Sequence, residues 1–474
     1  MKKTFLAFDL GASSGRGILG TIDNNKLELK EIHRFVNGPV EKDGELFWDI
    51  NEIFKELKFG LKKALDECDE ISGIAVDTWG VDYVLLKENG EFARLPYNYR
   101  DSRTDGVVEN FFKDKEVEKK IYSKTGIQKM FFNTFTQLIA HKRQHPEDFE
   151  NAKLLFMPDA LTYLFSDEIA CEYTIASTSQ LLNAKTKEWD KDVIAELGLP
   201  MDIFPKIVSP STPSFMLKEE LQKEFSCPPI PLIHVGSHDT ASAVAAVPAD
   251  KKKNWAFISC GTWALFGAEI DSPILSLEAM EAGYTNEGGL NYTIRFLSNI
   301  NGTWLLQETR RTWNELGKDI SFMDIEKMAA DAPESKFTID PSDDIFVHPG
   351  DMPSRVREYA AKHNLGELPD DASVVRCIYD SLAQCFADKL KELEKLKNCK
   401  FDCINIVGGG TKDDLLMQLT ANRTGVTVIS GPVEATAIGN IISQAIASGV
   451  IFNLGAGRDI VKNSFSVKEF QPEK

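Results

Sequence analysis

Two short stretches hold residue types that could act on a charged, hydroxylated small molecule. The first, Asp9-Leu10-Gly11-Ala12-Ser13-Ser14-Gly15-Arg16-Gly17, gathers small residues, two hydroxyls and a guanidinium into one turn. Backbone N–H groups of small residues, together with Arg16, suit phosphate oxygens. The second, Val235-Gly236-Ser237-His238-Asp239-Thr240-Ala241-Ser242-Ala243, reads as a strand ending in polar residues and passing into a small-residue helix. A carboxylate at such a junction can take a proton from a hydroxyl as it attacks phosphorus, and a helix N-terminus favours negative charge there. His238 reads as a neutral donor to a substrate hydroxyl, with a second base as the alternative. Plainer readings stand beside these: a tight hairpin whose glycines serve only a positive φ, and an Asp239 that only caps its helix.

The elements around these residues narrow the choice. Gly15 to Gly20 form a literal G-x-G-x-x-G, but a dinucleotide turn needs a helix after the glycines and an acidic residue roughly 20 positions on. Here Thr21 to Ile32 alternate apolar and polar residues about Asp23-Asn24-Asn25, which is a hairpin pattern, so strands are expected over 5–10 and 18–22. Trp255 to Gly267 repeat the plan: strand, small-residue turn, strand. Such an echo is what a duplicated domain leaves, and two such hairpins facing each other would clamp one triphosphate. In Cys403 to Leu419 a buried strand runs into Gly408-Gly409-Gly410 and then a helix, a geometry that aims N–H groups at a ligand or permits a close strand–helix corner. Elsewhere a helix is expected over 54–68, a strand over 71–77 and a long amphipathic helix over 374–396, so strand-like and helix-like segments alternate as in α/β proteins.

Composition bounds the function. With 474 residues the chain exceeds the roughly 250–300 at which single cores stop growing, so two domains are expected, divided in the polar stretch 247–254 into 1–247 and 248–474. A net charge of -18 argues against nucleic acid or an anionic membrane as partner. No run approaches about 18 apolar residues and no leader pattern opens the chain, which reads as cytoplasmic. The eight cysteines show no C-x-x-C spacing; Cys260, Cys377 and Cys385 read as reduced core residues and no zinc site is expected. No G-x-x-x-x-G-K-[ST] loop and no protein-kinase H-R-D or D-F-G pair occurs, which excludes those two phosphoryl-transfer designs.

Taken together, the motifs resemble the FGGY carbohydrate kinases of the sugar kinase, heat-shock chaperone and actin superfamily. The resemblance runs along nearly the whole chain: DLGASSGRG at 9–17, DTWGVDYVLL at 77–86, YRDSRT at 99–104, FMPD at 156–159, GSHDTASAV at 236–244, SCGTW at 259–263, TNEGG at 285–289, GTWLLQ at 302–307, IVGGG at 406–410 and GPVEATAIGN at 431–440. It implies an α/β fold of two duplicated actin/hexokinase-like (ribonuclease H-like) domains around a central cleft, closing on ATP and a sugar. By the same resemblance Asp239 is the base that deprotonates a ketose 1-hydroxyl for attack on the γ-phosphorus. Ala12, Ser13, Ser14, Gly15 and Arg16 form the first phosphate loop; Thr262, Gln307 and Gly410 match further ATP contacts. Gly80, His238, Asp239, Thr240 and Asn299 match the positions that hold the ketose, and Asp9 the acid that places Mg²⁺ through water. L-rhamnulose leads as substrate, with L-fuculose or L-xylulose, or an inactive sensor on the same fold, as alternatives. The chain departs from the family where Lys412-Asp413 replace Gln-Asn after the glycine triplet, and where Ala421-Asn422-Arg423 replace Ala-Asp.

Several residues keep plainer roles at this point. Trp79, Trp263 and Trp304 read as core aromatics rather than sugar platforms. Arg100, Asp101 and Arg103 either line the sugar pocket or form a surface ion-pair network, and Glu287 caps a loop.

Overall fold

The computed structural model describes residues 2–473, except Lys251, and only the backbone of Asp344; Lys251, inside the expected boundary stretch, lies outside the described residues. The chain forms two units. The first takes the chain up to Ala246 together with Glu269–Phe296 and Ala435–Ser464; the second takes Val247–Ala268, Leu297–Glu434 and the chain from Phe465. Two stretches of the C-terminal half therefore fold with the first unit, which a single cut at 247/248 does not capture.

The first unit is built on a six-stranded sheet in the order Lys26–Val36, Ser14–Asp23, Lys3–Leu10, Ile74–Thr78, Pro231–His234, Thr212–Met216. Its central strand, Lys3–Leu10, is a near-continuous apolar run in which Phe5, Leu6, Ala7, Phe8 and Leu10 are all buried, as expected of a strand covered on both faces. Alternate residues serve the two faces. Leu6, Phe8 and Leu10 join the core of the helix Ile50–Glu67, which buries Ile53, Leu57, Leu61 and Ala64 at three- and four-residue steps and is capped by Asp49 accepting from the Glu52 N–H. On the other face the helix Ala435–Ala447 crosses the sheet, and its Gln444 Nε2 donates to the Leu6 carbonyl at 3.0 Å. Gly439 makes that crossing possible: a Cβ there would lie 1.7 Å from the Ser242 carbonyl oxygen of the neighbouring helix Asp239–Ala245.

In the second unit Trp255–Cys260 pairs antiparallel with Trp263–Ile270 and parallel with Cys403–Val407. Cys403–Val407 pairs parallel with Thr427–Ser430, which pairs antiparallel with the edge strand Lys468–Phe470. Ile294–Asn301 lies beside Trp263–Ile270. This second sheet has seven strands, with Thr285–Gly288 beyond Ile294–Asn301; apart from that strand, both sheets have a hairpin flanked by a third strand, two parallel neighbours and an antiparallel edge, in the same spatial order. That is the duplicated α/β architecture that the two hairpin sequences foreshadow.

The local expectations agree closely. The strand expected over 5–10 spans Lys3–Leu10, the helix over 54–68 spans Ile50–Glu67, and the helix over 374–396 spans Asp371–Lys397. The described cysteines are all free thiols, with Cys260 and Cys377 buried and Cys385 half-buried. No helix among the described residues is long and apolar enough to cross a membrane.

Candidate active site

The first phosphate-type loop is a hairpin. Asp9 faces Arg16 and Leu10 faces Gly15 across Lys3–Leu10 and Ser14–Asp23, and the Gly11 N–H closes the turn on the Ser14 carbonyl at 2.9 Å. Ala12 and Ser14 are half-buried and Ser13 is exposed, so the tip offers its groups to solvent. The G-x-G-x-x-G is therefore part of a strand pair and meets no helix. Arg16 pairs with the buried Asp9 carboxylate.

Three parallel elements bring acids beside that hairpin. Asp9 lies level with Asp77, and Thr78 bridges to His238, its N–H donating to the Ser237 carbonyl at 2.9 Å. Asp77 is fully enclosed, and burial first, then the Asp9 charge, pushes its carboxyl well above the ordinary value; Asn440 Nδ2 donates to it at 2.6 Å. Just past the strand end, His238 caps the helix Asp239–Ala245 and Asp239 is its first residue. Asp239 is not itself the cap. Its side chain keeps 32% of its surface. Oδ1 accepts from the Thr240 N–H at 2.5 Å and Oγ1 at 3.1 Å, and lies 3.3 Å from His238 Nε2, which leaves Oδ2 as the open oxygen.

The backbone leading to Asp239 is anchored from below by a buried carboxylate that sequence reading missed. Glu172 accepts from Ser237 Oγ at 2.6 Å and Ser237 N at 3.2 Å, and from Thr174 and Ile175 N–H groups; Thr174 Oγ1 in turn accepts from the His238 N–H at 3.2 Å. Burial raises the Glu172 carboxyl, against these donors. Around the side chain of His238 lie Arg295 and Glu287. Glu287 is more than a loop cap: burial works against its charge, yet the Arg295 guanidinium holds its carboxyl below the ordinary value. Arg295, fully enclosed, carried no signal in the sequence.

The loop at Gly80 is equally constrained. Val81, beside it, sits at a φ of 70°, rare for a β-branched residue, with its N–H on Thr178 Oγ1 at 3.2 Å. Asp82 collects Trp48 Nε1 at 2.6 Å, Trp79 Nε1 at 2.9 Å and Gln137 Nε2 at 2.8 Å; burial pushes its carboxyl up to about 6. Trp79 is thereby core. Asp101 and Arg103 are each only 2% exposed at the side chain, with Arg103 donating to Gln137 and stacking on Tyr97, so they form a buried network and not a surface one.

The second unit repeats the hairpin turn. The Gly261 N–H closes on the Trp263 carbonyl at 2.8 Å, and the Thr303 N–H and Oγ1 both return to the Gly261 carbonyl. Thr262 Oγ1 donates to Gln307 Oε1 at 3.1 Å, so these two expected contacts stand together. Trp263 and Trp304 are half-buried. Asn299 is half-buried on Ile294–Asn301. Of the three glycines, Gly408 and Gly410 press against Cys260, where a Cβ would come within 2.8 Å of its carbonyl oxygen and 2.4 Å of its Sγ; Gly409 alone faces open space. Packing thus claims two of the three. Lys412-Asp413 end that turn, and Asp413 caps the helix Asp414–Thr424 through the Leu416 N–H and receives the Tyr379 hydroxyl; burial pushes its carboxyl up to about 6.

Two family models cover this chain: the N-terminal domain of the FGGY family of carbohydrate kinases over residues 4–246 and the C-terminal domain of the same family over 256–448. The chain belongs to the FGGY family of carbohydrate kinases. A protein named rhamnulokinase from Bacteroides thetaiotaomicron is 41% identical over 474 residues, covering 100% of this chain and 96% of its own. Another of that name from Halalkalibacterium halodurans is 41% identical over 98% of each chain. A gluconate kinase of Lactobacillus acidophilus, 19% identical, shares the fold with a TM-score of 0.82 over 100% of this chain and 94% of that one.

A carbohydrate kinase of this family implies a divalent cation with ATP. Among the described residues no three His, Cys, Asp or Glu side chains converge into a protein-only cage. Asp9 and Asp77 do lie level on adjacent strands, and Asp77 Oδ1 has no hydrogen-bond partner. Hard carboxylate oxygens in that number fit Mg²⁺, which keeps several waters and takes further ligands from phosphates.

Proposed function

We propose that this carbohydrate kinase transfers the γ-phosphoryl group of ATP to the 1-hydroxyl of L-rhamnulose, giving L-rhamnulose 1-phosphate and ADP. The reading rests on the likeness, along nearly the full length of both partners, to proteins named rhamnulokinase at 37–41% identity. The geometry at Asp239 agrees with a base: its Oδ1 is held by Thr240 and its Oδ2 is open to a hydroxyl. In the proposed step Oδ2 accepts the 1-hydroxyl proton as that oxygen attacks phosphorus and ADP leaves. His238, Thr240, Gly80 and Asn299 orient the sugar. Ala12, Ser13, Ser14, Gly15 and Arg16, with Thr262, Gln307 and Gly410, hold the nucleotide. Asp9 would hold Mg²⁺ through water, and the cation would then supply neutralisation of charge on the phosphates. Positioning supplies most of the acceleration in such a transfer, since the protein does little covalent chemistry. The cytoplasm, where ATP is abundant and thiols stay reduced, is the compartment that fits.

The deciding experiment measures ADP release with Mg·ATP against L-rhamnulose, L-fuculose, L-xylulose, D-fructose and glycerol, ranked by kcat/KM. L-rhamnulose should lead by orders of magnitude. Another ketose in first place would replace the substrate, and no turnover with any sugar would restore the sensor reading.

A further inference from the structure

Arg295 and Glu287 take no part in the transfer step, yet both are buried against the residue next to the base. Arg295 donates Nε–H to the Gly288 carbonyl at 2.8 Å and places Nη2 3.0 Å from His238 Nδ1. A guanidinium only donates, so Nδ1 must accept, and the ring proton sits on Nε2, 3.3 Å from Asp239 Oδ1. Glu287 pulls the other way, with Oε2 3.3 Å from Nδ1, where it would receive a proton from an imidazolium; it is drawn off by Arg295 Nη1 at 3.2 Å. Arg295, Glu287 and Asp239 are the charges that face the ring, while Thr174 Oγ1 fixes the His238 backbone. A neutral histidine alone would be free to carry its proton on either nitrogen. Only one of those choices puts a ring N–H on the side of Asp239 Oδ1, beside the Thr240 donors.

We propose that Arg295 is a positioning residue: by donating to His238 Nδ1 it fixes the tautomer that places the ring proton on Nε2, 3.3 Å from Asp239 Oδ1, and so favours the carboxylate orientation with Oδ2 open to the sugar hydroxyl. The inference rests on Asp239 being the base. Buried supporting hydrogen bonds of this kind hold a reacting group within the narrow range that chemistry needs. Arg295 acts through His238 and touches neither sugar nor phosphate in this role.

Long-range 1H–15N spectra of the ligand-free, full-length protein test it, with the His238 signal among the seven histidines assigned through His238→Asn. Wild type should show the Nε2–H tautomer. Removing Arg295 alone would strand a buried Glu287, so the informative variant is Arg295→Met with Glu287→Met, which takes both charges out together. It should lose the single tautomer and lower kcat about 10–100-fold while the KM for ATP moves less than about twofold. Should that protein not fold, Arg295→Lys carries the test, with a retained donor expected to preserve the tautomer and most of kcat. A wild-type Nδ1–H or imidazolium signal, or a double variant with wild-type kcat, overturns the proposal. The spectrum needs no substrate, so its failure is separable from failure of the base assignment, which Asp239→Asn reports.

Discussion

The proposed transfer turns on a single oxygen of Asp239. Replacing Oδ2 by an amide in Asp239→Asn keeps the Thr240 contacts to Oδ1 and removes the proton acceptor, so kcat should fall about 10²–10⁴-fold with little change in the KM for ATP; near-wild-type turnover would remove Asp239 as the base. Arg16 makes a different prediction, because it sits in the first hairpin and pairs with Asp9. Arg16→Ala should raise the KM for ATP about tenfold and leave that for the sugar within about twofold, the pattern of a lost charge-assisted phosphate contact. Asp413 supplies a pH test. Its carboxyl is raised from 3.8 to about 6 by burial, so the folded state binds its proton more tightly than the unfolded chain. The contribution is therefore present at low pH and is lost as the pH rises from about 3.8 through about 6. Asp413→Asn should consequently lose more thermal stability relative to wild type at pH 4 than at pH 7. A deficit independent of pH would show that the carboxyl does not titrate in that window.

Among elements, the helix Ala435–Ala447 has a reach that no local pattern announces. It carries Asn440 to Asp77, 363 residues away, and its Gly439 lies against the backbone of the helix that begins with Asp239. Gly439→Ala would force those helices apart. Overpacking of this kind costs about 1–3 kcal/mol, and because the displaced partner is the Asp239 helix, kcat should drop in the protein that still folds; circular dichroism melting and ADP release read the two effects separately. A variant with unchanged stability and kcat would show that the crossing has room that the structure does not display. The hairpins, in contrast, are legible at once, since alternation and turn residues are properties of adjacent positions. The glycine triplet shows the limit of such reading: its composition suggests a ligand surface, while two of its glycines are demanded by Cys260, a neighbour only in space.

For the molecule as a whole, the order of chain and the order of packing differ. The first unit is completed by Glu269–Phe296 and Ala435–Ser464, which supply Arg295 to His238 and Asn440 to Asp77. A protein of residues 1–246 would leave Asp77 without its donor and the sheet face over Phe5 and Ala7 uncovered. It should lack a cooperative thermal transition and native near-ultraviolet dichroism, whereas the full chain shows both. A native-like 1–246 fragment would mean that those two returning segments are additions to a unit already stable without them.

The sequence by itself determined the α/β class, the two hairpin loops, the Asp239 junction and the family, because each depends on residue types at neighbouring positions or on motifs in fixed order. The tertiary structure decided which buried groups attend them. Arg295 meets His238 across 57 residues, and Glu172 meets Ser237 across 65. A lone Arg or Glu in a sequence reads as a solvated surface charge, the commonest fate of those side chains. Only folding encloses them, and enclosure is what makes a satisfied, directional hydrogen bond worth more than the same contact in water.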